Sequence, residues 1–231
     1  MHRRTYLGAV GAAAIAGCVE RVPGLGDSNT HLRPPDRTDW QPSHPIHGDP
    51  FPSFAVQDPL ADEEVRSADI EGERTFLMTF IYTSCEEQCG TLVRLLQVVQ
   101  EDAFEEGYED DLDLLAMTFD PDTDDAAALR EYGERFEVDL DAGNFRFLRP
   151  STPEEAIGWI DGELGVPATL GDPGHHDHGD DDDHDHHHAD SPLHYYIMFL
   201  VNERGITERA YYQILETPPA DIIEDVQGVV G

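Results

Sequence analysis

The sequence predicts an α/β domain with a mixed central sheet flanked by helices, and three observations carry that prediction. Two runs, Thr75–Thr83 and Leu112–Phe119, are nearly continuous in apolar and β-branched residues, as strands covered on both faces are. Each is followed by apolar residues at helical spacing: Leu92, Leu95, Leu96 and Val99, then Leu129, Tyr132, Gly133 and Phe136. The C-terminal part reads as a hairpin, which adds antiparallel pairing to a βαβ start.

In chain order, Phe54–Val56 is a short strand and Thr75–Thr83 the first central one. A helix begins near Gly90. Leu112–Phe119 is the second central strand and ends in Asp120-Pro121. Thr123 or Asp124 is placed to cap the next helix. Phe145–Leu148 is a short strand. Ser151 and Thr152, with Pro153 and Glu154-Glu155 next, open a helix through Trp159 to Leu164. Tyr195–Val201 is another strand, and the turn Asn202–Gly205 carries it into a partner around Ala210–Ile214. Pro218-Pro219 opens a last helix, Ala220 to about Val229. No period of 20–50 residues recurs, which excludes a solenoid.

The 231 residues carry 49 acidic and 14 basic side chains, a net charge of −35, and every basic residue is arginine. Such a surface repels nucleic acid and anionic lipid heads. In dilute buffer the fold would repel itself. At 1 M salt the Debye length falls to about 3 Å, so the composition predicts a protein adapted to high salt.

Residues 1–18 read as an export signal. Arg3-Arg4 precedes an apolar run, Leu7–Gly17, that is too short to span a bilayer. Paired arginines point to the twin-arginine route. The end, Ile15-Ala16-Gly17-Cys18, resembles the lipobox of exported lipoproteins, which makes Cys18 the lipidation site. This implies a location on the extracytoplasmic face of the cell membrane, held by a lipid anchor. Residues 19–49, rich in Pro, Asp, His, Arg and Gly, read as a flexible linker, with His31, His44 and His47 as solvated side chains. The domain itself is expected from residue 50 to 231.

The chemistry lies at the exit of the first central strand. Cys85 and Cys89, in Cys-Glu-Glu-Gln-Cys, stand at a strand-to-helix junction, where free N–H groups favour thiolate. Two thiolates at that spacing can close a disulfide or grip one soft metal ion. The flanking Glu86, Glu87 and Gln88 argue against burial of the pair. His194 stands before a strand, and spacing alone does not separate a ligand from a structural histidine.

Three stretches in order resemble the SCO/SenC family of thioredoxin-fold copper proteins: Phe80-Ile81-Tyr82-Thr83-Ser84-Cys85-x-x-x-Cys89, Phe119-Asp120-Pro121-Asp122-Thr123, and His194 ahead of an apolar strand and Gly205. The resemblance implies a thioredoxin-like fold and copper, Cu(I) or Cu(II), held by Cys85, Cys89 and His194. It implies a copper chaperone for the dinuclear copper centre of cytochrome c oxidase, with the oxidase copper-site subunit as partner. The family usually has proline after the second cysteine. Gly90 stands there instead, which is expected to loosen the site without removing a ligand. The strand after His194 also lacks the entry proline of thioredoxins, and the three-residue gap between the cysteines departs from a general dithiol exchange enzyme.

Between Gly171 and Asp190 the chain holds seven histidines and eight aspartates and no large apolar residue. This stretch reads as a disordered insertion in which His175, His176, His178, His184, His186, His187 and His188 form weak secondary metal sites. Two other functions are open to the sequence. One is a thiol–disulfide reductase that keeps the oxidase cysteines reduced with Cys85 and Cys89 as its catalytic redox pair, served by an external thiol reductant. The other is a surface metal-storage lipoprotein.

Overall fold

Two strands form the centre because their sequences have no polar face to offer water. Residues 29–35, 42–85, 87–169, 193–194 and 196–231 are described in a computed structural model. The export segment with Cys18, the greater part of the linker and the His/Asp-rich stretch 171–190 lie outside the described residues. The elements are β1 (Ala55–Asp58), β2 (Glu63–Arg66), α1 (Ser67–Ile70), β3 (Thr75–Ile81), α2 (Gln88–Glu106), β4 (Leu112–Thr118), α3 (Ala126–Arg135), β5 (Phe145–Leu148), α4 (Pro153–Ile157), β6 (Ala168–Thr169), β7 (Leu193–His194), β8 (Met198–Val201), β9 (Thr207–Tyr211) and α5 (Pro219–Val230).

Every residue of β3 and β4 is buried. They pair in parallel from Thr75 opposite Leu112 to Ile81 opposite Thr118. The main sheet has the order β5-β4-β3-β8-β9, with β4–β5 parallel and β3–β8 and β8–β9 antiparallel. The expected mixed α/β sheet is what forms. The two parallel steps need crossovers, and α2 and α3 supply them.

The sheet's two faces are covered differently. Phe76 meets Phe51 and Phe54 edge-on at 5.4 and 5.9 Å, and Phe80 meets Trp159 at 6.2 Å. Trp159 comes from a π-helical turn, Gly158–Glu163, that continues α4. By strand alternation the other face carries Leu77, Thr79 and Ile81; α2 packs on β3, β4 and α5. The helix expected through Trp159 to Leu164 is thus α-helical only to Ile157.

Other boundaries shift for local reasons. Asn202 Oδ1 accepts from the N–H groups of Arg204 and Ile206 at 3.0 and 3.1 Å, and Gly205 takes φ +69°. This tight turn lets pairing begin at Thr207, earlier than the expected Ala210. The cap of α3 is Asp125, whose carboxylate accepts from Ala127 and Ala128 N–H at 2.9 Å, and neither Thr123 nor Asp124.

The histidines expected in solvent have protein partners instead. His44 is buried, edge-on to Phe199 at 5.6 Å. His47 Nδ1 lies 3.0 Å from the Glu208 carbonyl and His31 Nε2 lies 2.9 Å from Glu203. The buried Glu208 carboxylate accepts from the N–H groups of His31 and Leu32 at 2.7 and 3.1 Å and from Asn202 Nδ2 at 2.6 Å. A buried carboxylate requires such donors, and residues ahead of the first strand supply two of the three.

Candidate metal and dithiol site

Beyond Ile81 the chain leaves the sheet and reaches α2 only at Gln88, two residues earlier than the expected helix start. Cys85 lies in this connection and Cys89 in the first turn of the helix. The Cys89 N–H is one of the donors a helix start leaves unpaired; it points at Cys85 Sγ, 3.4 Å away. The sulfur therefore takes the place of a capping oxygen.

Both cysteines are free and buried, Cys85 8% exposed and Cys89 0%. This corrects the expectation that the flanking polar residues would keep them at the surface. Glu87 is exposed and Gln88 half-buried, while both cysteines are buried. The two thiols are polarised in opposite senses. The Cys85 thiol is drawn down to about 6, first by the hydrogen bond from the Cys89 thiol, against desolvation and with help from the N–H groups of Cys89 and Gln88 and from Tyr82. The Cys89 thiol is pushed up because it donates to Cys85, is buried and faces a negative sulfur. Of the two, Cys85 is the more acidic and Cys89 the one that keeps its proton.

Two anchors hold the connection. The Asp124 carboxylate accepts from Thr83 N–H at 3.2 Å, and from the hydroxyls of Thr83 and Thr118. It ties the ends of β3 and β4 together, beneath the cysteines. Burial raises its pKa while these donors hold it down. The second anchor is Tyr132 of α3, whose hydroxyl donates to the Cys85 carbonyl at 2.7 Å. Sequence reasoning assigned Asp124 a capping role and Tyr132 only a packing one. Four carboxylates close together, Asp120, Asp122, Asp124 and Asp125, concealed which one turns inward.

Gly90 is packed and not loose. A Cβ there would lie 2.5 Å from the ring carbon Cζ of Phe136, so that ring fills the space a larger residue would claim. Replacing Gly90 by proline is expected to cost about 1–3 kcal/mol, the usual range for overpacking. The same change in a Phe136→Ala background should cost close to nothing. Chemical denaturation of the four proteins of this double-mutant cycle checks it; equal costs in both backgrounds would show that the ring does not decide the residue.

His194 belongs to β7, a two-residue strand that pairs Ala168 with His194 and Thr169 with Leu193, and not to the strand Tyr195–Val201 whose mouth it was expected to mark. Its side chain lies outside the described residues. Tyr196, two residues on, hydrogen-bonds Cys85 through its hydroxyl, and burial with that negative sulfur raises it to about 12. The chain following His194 therefore returns to the cysteines. The seven histidines of the insertion lie outside the described residues, as does Cys18. Among the described residues no helix is long and apolar enough to cross a membrane.

A βαβ start with paired cysteines at its strand-to-helix junction, extended by antiparallel β8 and β9, defines a thioredoxin-like protein with a dithiol site. Residues 52–157 match the family model SCO1/SenC, a stretch that includes Cys85, Cys89 and Asp124 and ends before His194. Over that stretch, which is less than half of the chain, the sequence is similar to the SCO/SenC family. It is similar to a SCO1/SenC family lipoprotein from Bacillus anthracis str. Ames, at 17% identity and TM-score 0.62, with 82% of this chain and 96% of that one covered. BsSco, described as a member of the Sco family of cytochrome c oxidase assembly proteins with a disulfide switch, matches at 19% identity and TM-score 0.58, covering 82% and 96%. Yeast Sco1 with copper bound matches at 19% identity and TM-score 0.55, covering 79% and 89%. No curated protein sequence matches the chain significantly.

Proposed function

We propose that this protein is a copper chaperone of cytochrome oxidase assembly, holding one copper ion between Cys85, Cys89 and His194 and delivering it to the dinuclear copper centre of cytochrome c oxidase. The observation that carries the reading is the sulfur pair, two free, buried cysteines at a helix start with the Cys89 N–H directed at Cys85 Sγ. Soft sulfur donors suit Cu(I), and an added imidazole also accommodates Cu(II). Relatives support the reading: yeast Sco1 was solved with copper, and BsSco is described among oxidase assembly proteins. The His-rich insertion supplies weaker sites that raise the local copper concentration. Lipid on Cys18 holds the domain at the extracytoplasmic membrane face, as the lipoprotein relative suggests, and the −35 charge adapts it to concentrated salt.

A second reading is favoured by the split between the two thiols. A low-pKa cysteine beside a protonated one is what a thiol–disulfide reductase uses to attack and then release a mixed disulfide. The two readings share the site and differ in what passes to the recipient, copper or electrons.

Cu(I) titration against a competing chelator tests the assignment on the intact protein, on Cys85→Ser, Cys89→Ser and His194→Ala singly, and on a deletion of residues 172–190. One tight ion should be bound by the intact and loop-deleted proteins and lost in each point variant. Loss of the tight ion on deleting the loop, with retention in the cysteine variants, would overturn it.

A further inference from the structure

The cysteine-bearing connection is not shaped by the sheet, because the ladder of β3 ends at Ile81. Cys85 is gripped on both sides instead: its N–H, in the peptide before it, donates to the Tyr82 carbonyl at 3.1 Å, and its carbonyl, in the peptide after it, accepts from the Tyr132 hydroxyl at 2.7 Å. The second grip is the long-range one, spanning 47 residues of sequence. Tyr132 is 1% exposed. Its ring stands edge-on to Phe136, 5.0 Å between centroids, and Phe136 is itself wedged over Gly90. The Arg135 guanidinium lies 5.9 Å from the ring centroid. A phenol caged in this way can aim its hydroxyl in few directions, and the one taken is the Cys85 carbonyl.

We propose that Tyr132 is a positioning residue for the dithiol: its bond to the Cys85 carbonyl fixes the peptide that follows Cys85 and so keeps Cys85 Sγ against the Cys89 N–H in the reduced, ion-ready arrangement. Its hydroxyl is engaged by the Cys85 carbonyl, so Tyr132 is assigned no ligand role. Without its hydroxyl the connection is free to turn, the sulfur loses its N–H donor, and the reduced form loses the stabilisation that the donor gives. The disulfide, which needs no such donor, is then favoured. The copper arm of the test rests on the chaperone reading, whereas the redox arm does not.

The test compares full-length wild type with Tyr132→Phe, which keeps the caged ring and removes one oxygen. Tyr211→Phe serves as control, since it removes a half-buried hydroxyl bonded to Asp225 at 2.9 Å instead. Each protein is equilibrated with glutathione and glutathione disulfide. The Cys85–Cys89 bond forms as the bond of glutathione disulfide breaks, and two electrons pass to glutathione. Two protons, one from Cys89 and one from solvent balancing the Cys85 thiolate, end on the two glutathione thiols. In Tyr132→Phe the constant is expected to move about tenfold toward the protein disulfide, a shift of about 30 mV for a two-electron couple, while Tyr211→Phe stays at the wild-type value. Cu(I) affinity should fall in Tyr132→Phe by about the same factor. A Tyr132→Phe protein that melts lower but keeps the wild-type glutathione constant overturns the proposal and leaves the tyrosine a packing residue. If wild type binds no copper tightly while the glutathione constant still shifts, the chaperone reading falls and the positioning role stands.

Discussion

Oxidised by a low-molecular-weight disulfide, the protein is expected to lose its tight copper site, with affinity falling by a thousandfold or more, about 4 kcal/mol at 1.4 kcal/mol per decade. The ion needs sulfur donors carrying charge. In the reduced pair Cys85 already supplies a thiolate, and Cys89 supplies a second once the metal displaces its proton. Closing the disulfide joins the two sulfurs, removes two electrons and leaves neither sulfur with charge. Only the imidazole then remains of the proposed donor set, too little to hold Cu(I) against a chelator. The reverse should also be visible: bound copper should protect Cys85 from alkylation at neutral pH, where the free thiolate reacts quickly. Equilibrium dialysis in thiol–disulfide buffers of graded potential measures the first effect. An oxidised protein that keeps its tight ion would show that the cysteines are not principal ligands and would favour metal storage on the His-rich insertion.

This coupling also bears on how the chaperone and reductase readings relate. An extracytoplasmic face lacks the glutathione pool that keeps cytosolic thiols reduced, so the proposed chaperone needs an external thiol reductant before each loading. The same sulfur pair then passes between disulfide, dithiol and copper-bound forms.

The fold was legible where burial leaves a mark on residue type. Thr75–Ile81 and Leu112–Thr118 are buried throughout, and their sequences carry almost no polar alternation. Where structure depends on pairing partners, the mark is faint. Strand β2 is Glu-Glu-Val-Arg with only Val65 buried, and nothing but its antiparallel register with β1 makes it a strand. Strands β6 and β7 are two residues each, too short for any period to show. Within the site, Cys85 and Cys89 were found by spacing at a strand exit, because that chemistry requires those residues. Their burial was misjudged since neighbours in sequence are not neighbours in space: Tyr132 of α3 and Tyr196, far along the chain, are among the residues that meet Cys85. The same distance hid Tyr132 and Phe136, which read as the apolar stripe of a helix and only in the fold meet Cys85 and Gly90.

Replacing Asp124 by alanine is expected to destabilise the domain by about 3 kcal/mol or more, the second large effect and one that is independent of metal. The carboxylate serves three donors, the Thr83 N–H, the Thr83 hydroxyl and the fully buried Thr118 hydroxyl. Each buried donor left without an acceptor costs about 1–3 kcal/mol. At about 2–4 °C per kcal/mol for a domain of this size, the melting temperature should drop by roughly 6–12 °C. Adding Thr83→Val to Asp124→Ala removes one stranded donor, the Thr83 hydroxyl, and should recover part of the loss, since deleting both partners costs less than deleting one. The pH dependence follows from the direction of the shift. Burial raises the folded-state pKa of Asp124, so the folded protein takes up this proton before the unfolded chain does. The group's contribution is therefore greatest below the unfolded carboxylate value and declines as pH rises through the folded one. Wild type should gain on Asp124→Ala as the solution is acidified from neutrality, and the gap between their melting temperatures should widen. A gap that narrows, or a variant that melts within about 2 °C of wild type, less than 1 kcal/mol on this scale, would show that the strand ends are held by something other than this carboxylate.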